Sequence, residues 1–155
     1  MFPEIKTDID QLNQLYNDES SNIKPIGKTF VFNYKTGQHL LIDGRMVECT
    51  LNEAISQWIE KVLRTALGKY GIYIVDEDED FGISIYNYIG ERTLHMGYVA
   101  SELKREITEQ LLKHRYIERI EDYTAQRNRR TLEITFNVVL ITGDSLGKEL
   151  QIDGL

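Results

Sequence analysis

The chain has 155 residues, 41% hydrophobic and 28% charged, a size and composition that suit one domain with a real core and exclude a chain disordered by composition. No apolar run approaches the roughly 18 residues of a membrane-spanning helix, so a membrane is not expected as a partner. A formal net charge of -7 argues against a general nucleic-acid binder, because such binding draws its energy from counterions released by clustered Lys and Arg.

The N-terminal residues lack a basic start followed by an apolar core, so no secretory signal is expected. Residues 1–27 read as an arm. Within it Ile9, Leu12, Leu15 and Tyr16 fall at helical spacing over residues 8–16, and the polar residues 17–22 break the pattern. A helix this short is marginal in water unless its stripe docks on something, either its own domain or a partner.

Residues 29–34 are rich in aromatic and β-branched side chains, residues 35–38 hold a glycine suited to positive φ, and residues 39–42 resume a strand-like run. The spacing predicts a hairpin, with Asp43 and Gly44 turning the chain again. Thr50 and Glu53 then match a capping box, in which the hydroxyl accepts from the amide of residue 53 and the carboxylate from that of residue 50. The stripe that follows runs from Leu51 to Leu67, with Gly68 or Gly71 expected to end the helix. Ile55, Trp58, Ile59 and Val62 lie on it as core residues. Cys49, the single cysteine, reads as a reduced structural thiol.

Residues 72–75 predict a brief buried strand. Asp76, Glu77, Asp78, Glu79 and Asp80 follow as five consecutive carboxylates, a solvated loop or a candidate acidic contact surface for a partner. They lack the central glycine and distal glutamate of a helix-loop-helix calcium site. A second helix is expected over residues 98–113, with Val99, Leu103, Ile107 and Leu111 on its apolar side and Leu103 and Ile107 as core. Residues 116–124 read as a strand and residues 125–130 as a loop carrying Arg127, Arg129 and Arg130. Leu132, Ile134, Phe136, Val138 and Leu140 alternate with their neighbours as the clearest strand in the chain. Residues 144–155 lack a strong pattern and are expected to form a loosely held C-terminal tail.

His39, His95 and His114 lie in three segments without metal-ligand spacing, and the glycines of residues 143–147 lack the lysine and strand-to-helix context of a phosphate loop. Neither a metal nor a cofactor is expected. A glycosidase needs two carboxylates facing one another across a cleft, and the abundant acidic residues nominate no particular pair. The reading is of a part, not an enzyme.

The order of these pieces resembles a known family. Asp43 and Gly44 before the helix, the helix sequence of residues 51–65, Ile72-Tyr73, Phe81-Gly82, Ile89-Gly90 and the final Phe136-Asn137-Val138-Val139 are similar to contractile-tail baseplate proteins of the GpW/gene-25-like group, especially the XkdS-like branch of phages and phage tail-like particles. The resemblance covers roughly residues 29–144.

It implies a sheath initiator, assembled in the bacterial cytoplasm and lodged in the tail baseplate as a ring of six copies. Its implied partners are the tail sheath protein, baseplate wedge proteins, and the tail tube or hub, with neither nucleic acid nor membrane. The implied mechanism is β-strand addition, and the strand holding Leu132, Ile134, Phe136 and Val138, together with its hairpin partner, is the place where it is expected. Many family members carry Glu-Pro-Arg after the second helix for contact with the wedge, where this chain reads Lys113-His114-Arg115. Only Arg115 carries over, either as a guanidinium contact to a partner or as a surface residue at a helix end.

The expected fold is α+β, two main helices on a small mixed or antiparallel sheet, with the domain over residues 28–143. Two rival readings are a cell-wall-cleaving, lysozyme-like hydrolase of the tail and a soluble regulatory or chaperone domain.

Overall fold

A computed structural model of the chain describes residues 25–73, 81–90 and 95–154. The N-terminal segment carrying Ile9, Leu12, Leu15 and Tyr16 and the acidic run of residues 76–80 lie outside the described residues. The fold is α+β: among the described residues there are two α-helices and three small antiparallel sheets.

The expected hairpin is present and is followed by a second. β1 (Phe32–Asn33) pairs with β2 (Gln38–His39), and β3 (Leu41–Ile42) pairs with β4 (Arg45–Met46). Each turn has its own chemistry. The Asn33 Oδ1 accepts from the amides of Lys35 and Thr36 at 2.9 and 3.2 Å, and Asp43 and Gly44 both take positive φ, the two-residue turn that suits the twist of a hairpin. Val31 joins the hairpins: its amide donates to Val47 O at 2.8 Å, while its carbonyl accepts from Leu40 N at 2.9 Å.

α1 (Leu51–Arg64) begins at the expected capping box, with both reciprocal bonds between Thr50 and Glu53 in place. It ends earlier than the stripe predicted. Thr65 turns extended, and Ala66 forms a parallel bridge with Ile83, so residues 65–66 join a chain-chain contact instead of a further helical turn. The brief strand expected over residues 72–75 is also corrected where it is described. Residues 71–73 form a 3-10 turn, with Ile72 79% exposed.

A second 3-10 turn, Ser84–Asn87, leads toward α2 (Met96–Leu112). Glu106 of α2 holds the start of that turn, accepting from the Ser84 amide at 3.0 Å and from its hydroxyl at 2.9 Å. Tyr86 then donates to the carbonyl of Leu63 at 2.6 Å, tying the turn to the last residues of α1. α2 starts two residues before the sequence suggests because the His95 ring caps it, accepting from the Gly97 amide at 3.3 Å.

The third sheet has the order β5-β6-β7, with β5 at Ile117–Asn128, β6 at Thr131–Leu140 and β7 at Ser145–Asp153. Two expectations change here. Residues 125–128 are strand, not loop, leaving only Arg129 and Arg130 in the turn, with Arg129 at φ 57°. The loosely held tail expected after residue 143 is instead β7, paired with β6 over nine consecutive positions.

The helices cover one face of this sheet, α2 against β5 and α1 against β7 and α2. Leu132, Ile134, Phe136, Val138 and Leu140 of β6 are buried there with Leu150 and Ile152 of β7. Ile55, Ile59, Val62, Leu103 and Ile107 meet them from the helices, also buried. Trp58 differs from its expected place in the core. It is half-buried at the rim, its ring 4.6 Å from that of His114 and 6.2 Å from that of Phe81.

β5 reaches the same face only by means of irregularity. Strict alternation back from Ala125 and Tyr123 would put Glu121 and Arg119 on the helices. Register shifts at residue 118 and at residues 122–123 bring Ile120 and Ile117 inward instead, opposite Val138 and Leu140. Arg119 and Glu121 are thereby placed together outside, joined at 2.6 Å. Asp122 adopts positive φ at the second shift and accepts from the Asn137 side chain at 2.9 Å.

Candidate functional site

Of the strand and hairpin partner expected to receive a partner, β6 is the strand, and its position rules it out. β6 is the middle strand, paired with β5 on one side and β7 on the other, and Leu132, Ile134, Phe136 and Val138 are buried under the helices. Alternation in a sequence reports burial on one face; it does not report which strand stands at an edge. The edges belong to β5 and β7.

These edges are unlike one another. β5 carries two register shifts and a run of charges, Glu118, Arg119, Glu121, Asp122 and Arg127, the features that blunt an edge against a neighbouring strand. β7 keeps one register with β6 from Ser145 to Asp153. At its two ends Leu140 N donates to Asp144 O at 2.8 Å and Gly154 N to Arg130 O at 2.8 Å, pairs that fall on even-numbered β7 positions in that register. The alternation of an antiparallel ladder then turns the backbone groups of Gly147, Glu149 and Gln151 away from β6, along the outer edge.

The inward face of β7 holds Leu146, Lys148, Leu150 and Ile152. Lys148 stands opposite Phe136 and donates to the hydroxyl of Ser56 at 2.5 Å, pinning β7 to α1. Burial pushes its ammonium below the ordinary lysine value, with Glu60 acting against that shift. A lysine and a glycine within nine residues hid this strand from a pattern search. The alternating Leu146, Leu150 and Ile152 were the signal that could have found it.

Arg115 is exposed at the end of α2, and its guanidinium donates to the Pro25 carbonyl at 2.9 Å while lying 5.8 Å from the Tyr116 ring. Within this chain it therefore holds the segment that leads into the domain. Its neighbour His114 is half-buried between Trp58 and Tyr116, and burial, with the charge of Arg115, lowers its pKa.

Between the hairpins and α1 lies an open cleft of about 490 Å³, walled by Phe30, Phe32 and Tyr34 on the hairpin side and by Trp58 and His114 opposite. Gln57 joins the two walls: its side chain accepts from the Phe32 amide at 2.9 Å and donates to the Cys49 sulfur at 2.6 Å, and its carbonyl accepts from the Tyr34 hydroxyl at 3.2 Å. Burial raises the pKa of the Cys49 thiol, which suits a packed sulfur and not a nucleophile.

Several of the described carboxylates have structural engagements. Glu60 pairs with Arg64 at 2.6 Å, Glu102 and Glu109 clasp Arg105, and Glu106 holds Ser84. Hydrogen bonds from Thr50 keep the Glu53 carboxyl below its ordinary range, the opposite of what a general acid requires. Among the described residues, no group of three or more His, Cys, Asp and Glu could hold a metal ion, and no helix is long and apolar enough to cross a membrane.

No curated protein matches the chain. A family model described as the contractile injection system sheath initiator matches residues 28–143, from the first hairpin to the turn before β7. The family is structural, and its members imply a place in a tail or tail-like particle beside sheath and baseplate components. With residues 28–143 matched, most of its length, the chain belongs to the contractile injection system sheath initiator family.

Proposed function

We propose that this protein links the baseplate wedge to the sheath and starts sheath assembly by offering the outer edge of β7 to a strand of the first sheath ring. What supports this reading is one feature: nine residues in unbroken register whose odd-numbered backbone groups line an edge with no bulge. A strand laid there gains main-chain hydrogen bonds at alternate positions, and the outward side chains of Glu149 and Gln151 leave room for it. Six copies around the tube would present six such edges, one per sheath subunit of the first ring. Arg115 and the acidic residues 76–80 are the candidate contacts to wedge neighbours.

Proline at Glu149 or Gln151 removes an outward amide and no bond to β6. Each variant should fold with the thermal stability of the parent and fail to nucleate sheath in a particle assembly assay. Phe136→Ala should instead unfold the domain, at a cost of about 3–5 kcal/mol. Normal sheath assembly on both proline variants would overturn strand addition at β7, as would a density map of the assembled particle with no sheath strand beside it.

A further inference from the structure

The outer edge of β7 has more than backbone to offer a neighbouring strand. α1 packs on β7 while α2 packs on β5, so α1 stands over the β7 side of the sheet. Asn52 and Ser56, one helical turn apart, meet β7 and the turn before it: Asn52 Nδ2 donates to Asp144 Oδ2 at 3.0 Å, and Lys148 Nζ donates to Ser56 Oγ at 2.5 Å. Gln57, one position further round the helix, turns instead to the first hairpin and accepts from the Phe32 amide at 2.9 Å.

Between these two lines of contact an open cleft of about 290 Å³ remains, with Leu146 of β7 on one side and Val31 and Phe32 of the hairpin on the other. The polar side chains on its wall are engaged within the chain, Asn52, Ser56 and Gln57 as above and Glu53 in the capping box. The surface left for a ligand is therefore apolar: Val31, Phe32 and Leu146, each half-buried. Leu146 belongs to the inward face of β7 and stands one residue before Gly147, whose backbone groups line the outer edge. Residues directly opposite one another on adjacent strands point to the same face, so a strand paired along this edge turns the side chain opposite Leu146 under α1 and into the cleft.

We propose that this cleft is the specificity pocket of the β7 edge, and that the segment which pairs there carries one large aliphatic side chain opposite Leu146, seated between α1 and the hairpin. The inference rests on the reading of β7 as the receiving edge and adds the side-chain chemistry that the incoming strand must have. Backbone bonds would admit any extended segment, and the pocket selects among them.

The probe is an acetylated and amidated peptide of alternating threonine and lysine, matching the nine residues of β7 in length, with its central threonine replaced by leucine in one version and by alanine in another. Titrated into the full chain, the leucine peptide should shift the amide resonances of Gly147, Glu149 and Gln151 and the methyl resonances of Val31 and Leu146. The alanine peptide should bind about tenfold to a hundredfold more weakly, the difference that burial of one such side chain makes. Equal affinities, with the edge amides moved by both peptides, would overturn the pocket and leave strand addition at β7 standing. Movement of the methyls without the edge amides, or binding by neither peptide, would overturn the pocket together with the receiving edge. Val31→Trp fills the cleft and should bring the leucine peptide down to the affinity of the alanine peptide, with hydrogen exchange of β6 amides reporting that the fold is kept. A leucine preference that survives in this folded variant would overturn the cleft as its source, and the comparison of the two peptides on the parent chain decides the matter if the variant does not fold.

Discussion

Gly82 and Thr65 meet backbone to backbone. Gly82 lies at φ 110°, the next amide, that of Ile83, donates to the Thr65 carbonyl at 2.9 Å, and a side chain at position 82 would run into that same carbonyl oxygen. The contact closes α1 and carries the chain back beneath it. Gly82→Ala should therefore cost at least about 2 kcal/mol, from positive φ and overlap together. Urea denaturation measures it, with Gly71→Ala as the comparison: that site has open space and no positive φ, and should change stability little.

The capping box makes α1 sensitive to acid. The Thr50 amide and hydroxyl hold the Glu53 carboxyl below its ordinary pKa, so the box contributes stability above the unfolded value, about 4.3, and loses it as pH falls through the lower folded value. Thr50→Ala should cost about 1 kcal/mol at neutral pH. Glu53→Gln should flatten the acid limb of a stability-against-pH curve recorded below about pH 4.3.

His114 acts in a higher window. Its folded pKa lies below the ordinary 6.5, so between the two values the unfolded chain holds a proton that the folded one lacks. Stability should rise with pH through that window and fall on acidification. Trp58 fluorescence should titrate with a midpoint below 6.5, and His114→Phe should abolish the titration.

The rim position of Trp58 separates it from its helix neighbour. Ile59 is fully buried, and Ile59→Ala should cost about 2–5 kcal/mol. Trp58→Ala should cost less than that despite the larger side chain, because the partly exposed indole at the rim leaves less of a cavity. Thermal or urea unfolding of the two variants checks the order.

Local chemistry was legible wherever neighbours in sequence are partners in space. The Thr50 and Glu53 cap, the Asp43-Gly44 turn and the stripe of Ile55, Ile59 and Val62 follow from spacings of one to four residues. The family likeness rests on the same short pieces, and one of them, Phe81-Gly82, has its reason in the Thr65 contact.

What tertiary structure alone decided is the order of strands. Leu132 to Leu140 alternate as any half-buried strand would, and only pairing with both β5 and β7 makes β6 central. β7 was hidden because Lys148 faces inward to reach Ser56, 92 residues away, and the inward turn of Ile120 depends on irregularities set by pairing with β6. Sequence by itself determined which faces are apolar and where helix α1 begins, since those depend on adjacent residues. Which edge stays open to a partner depends on contacts between distant ones.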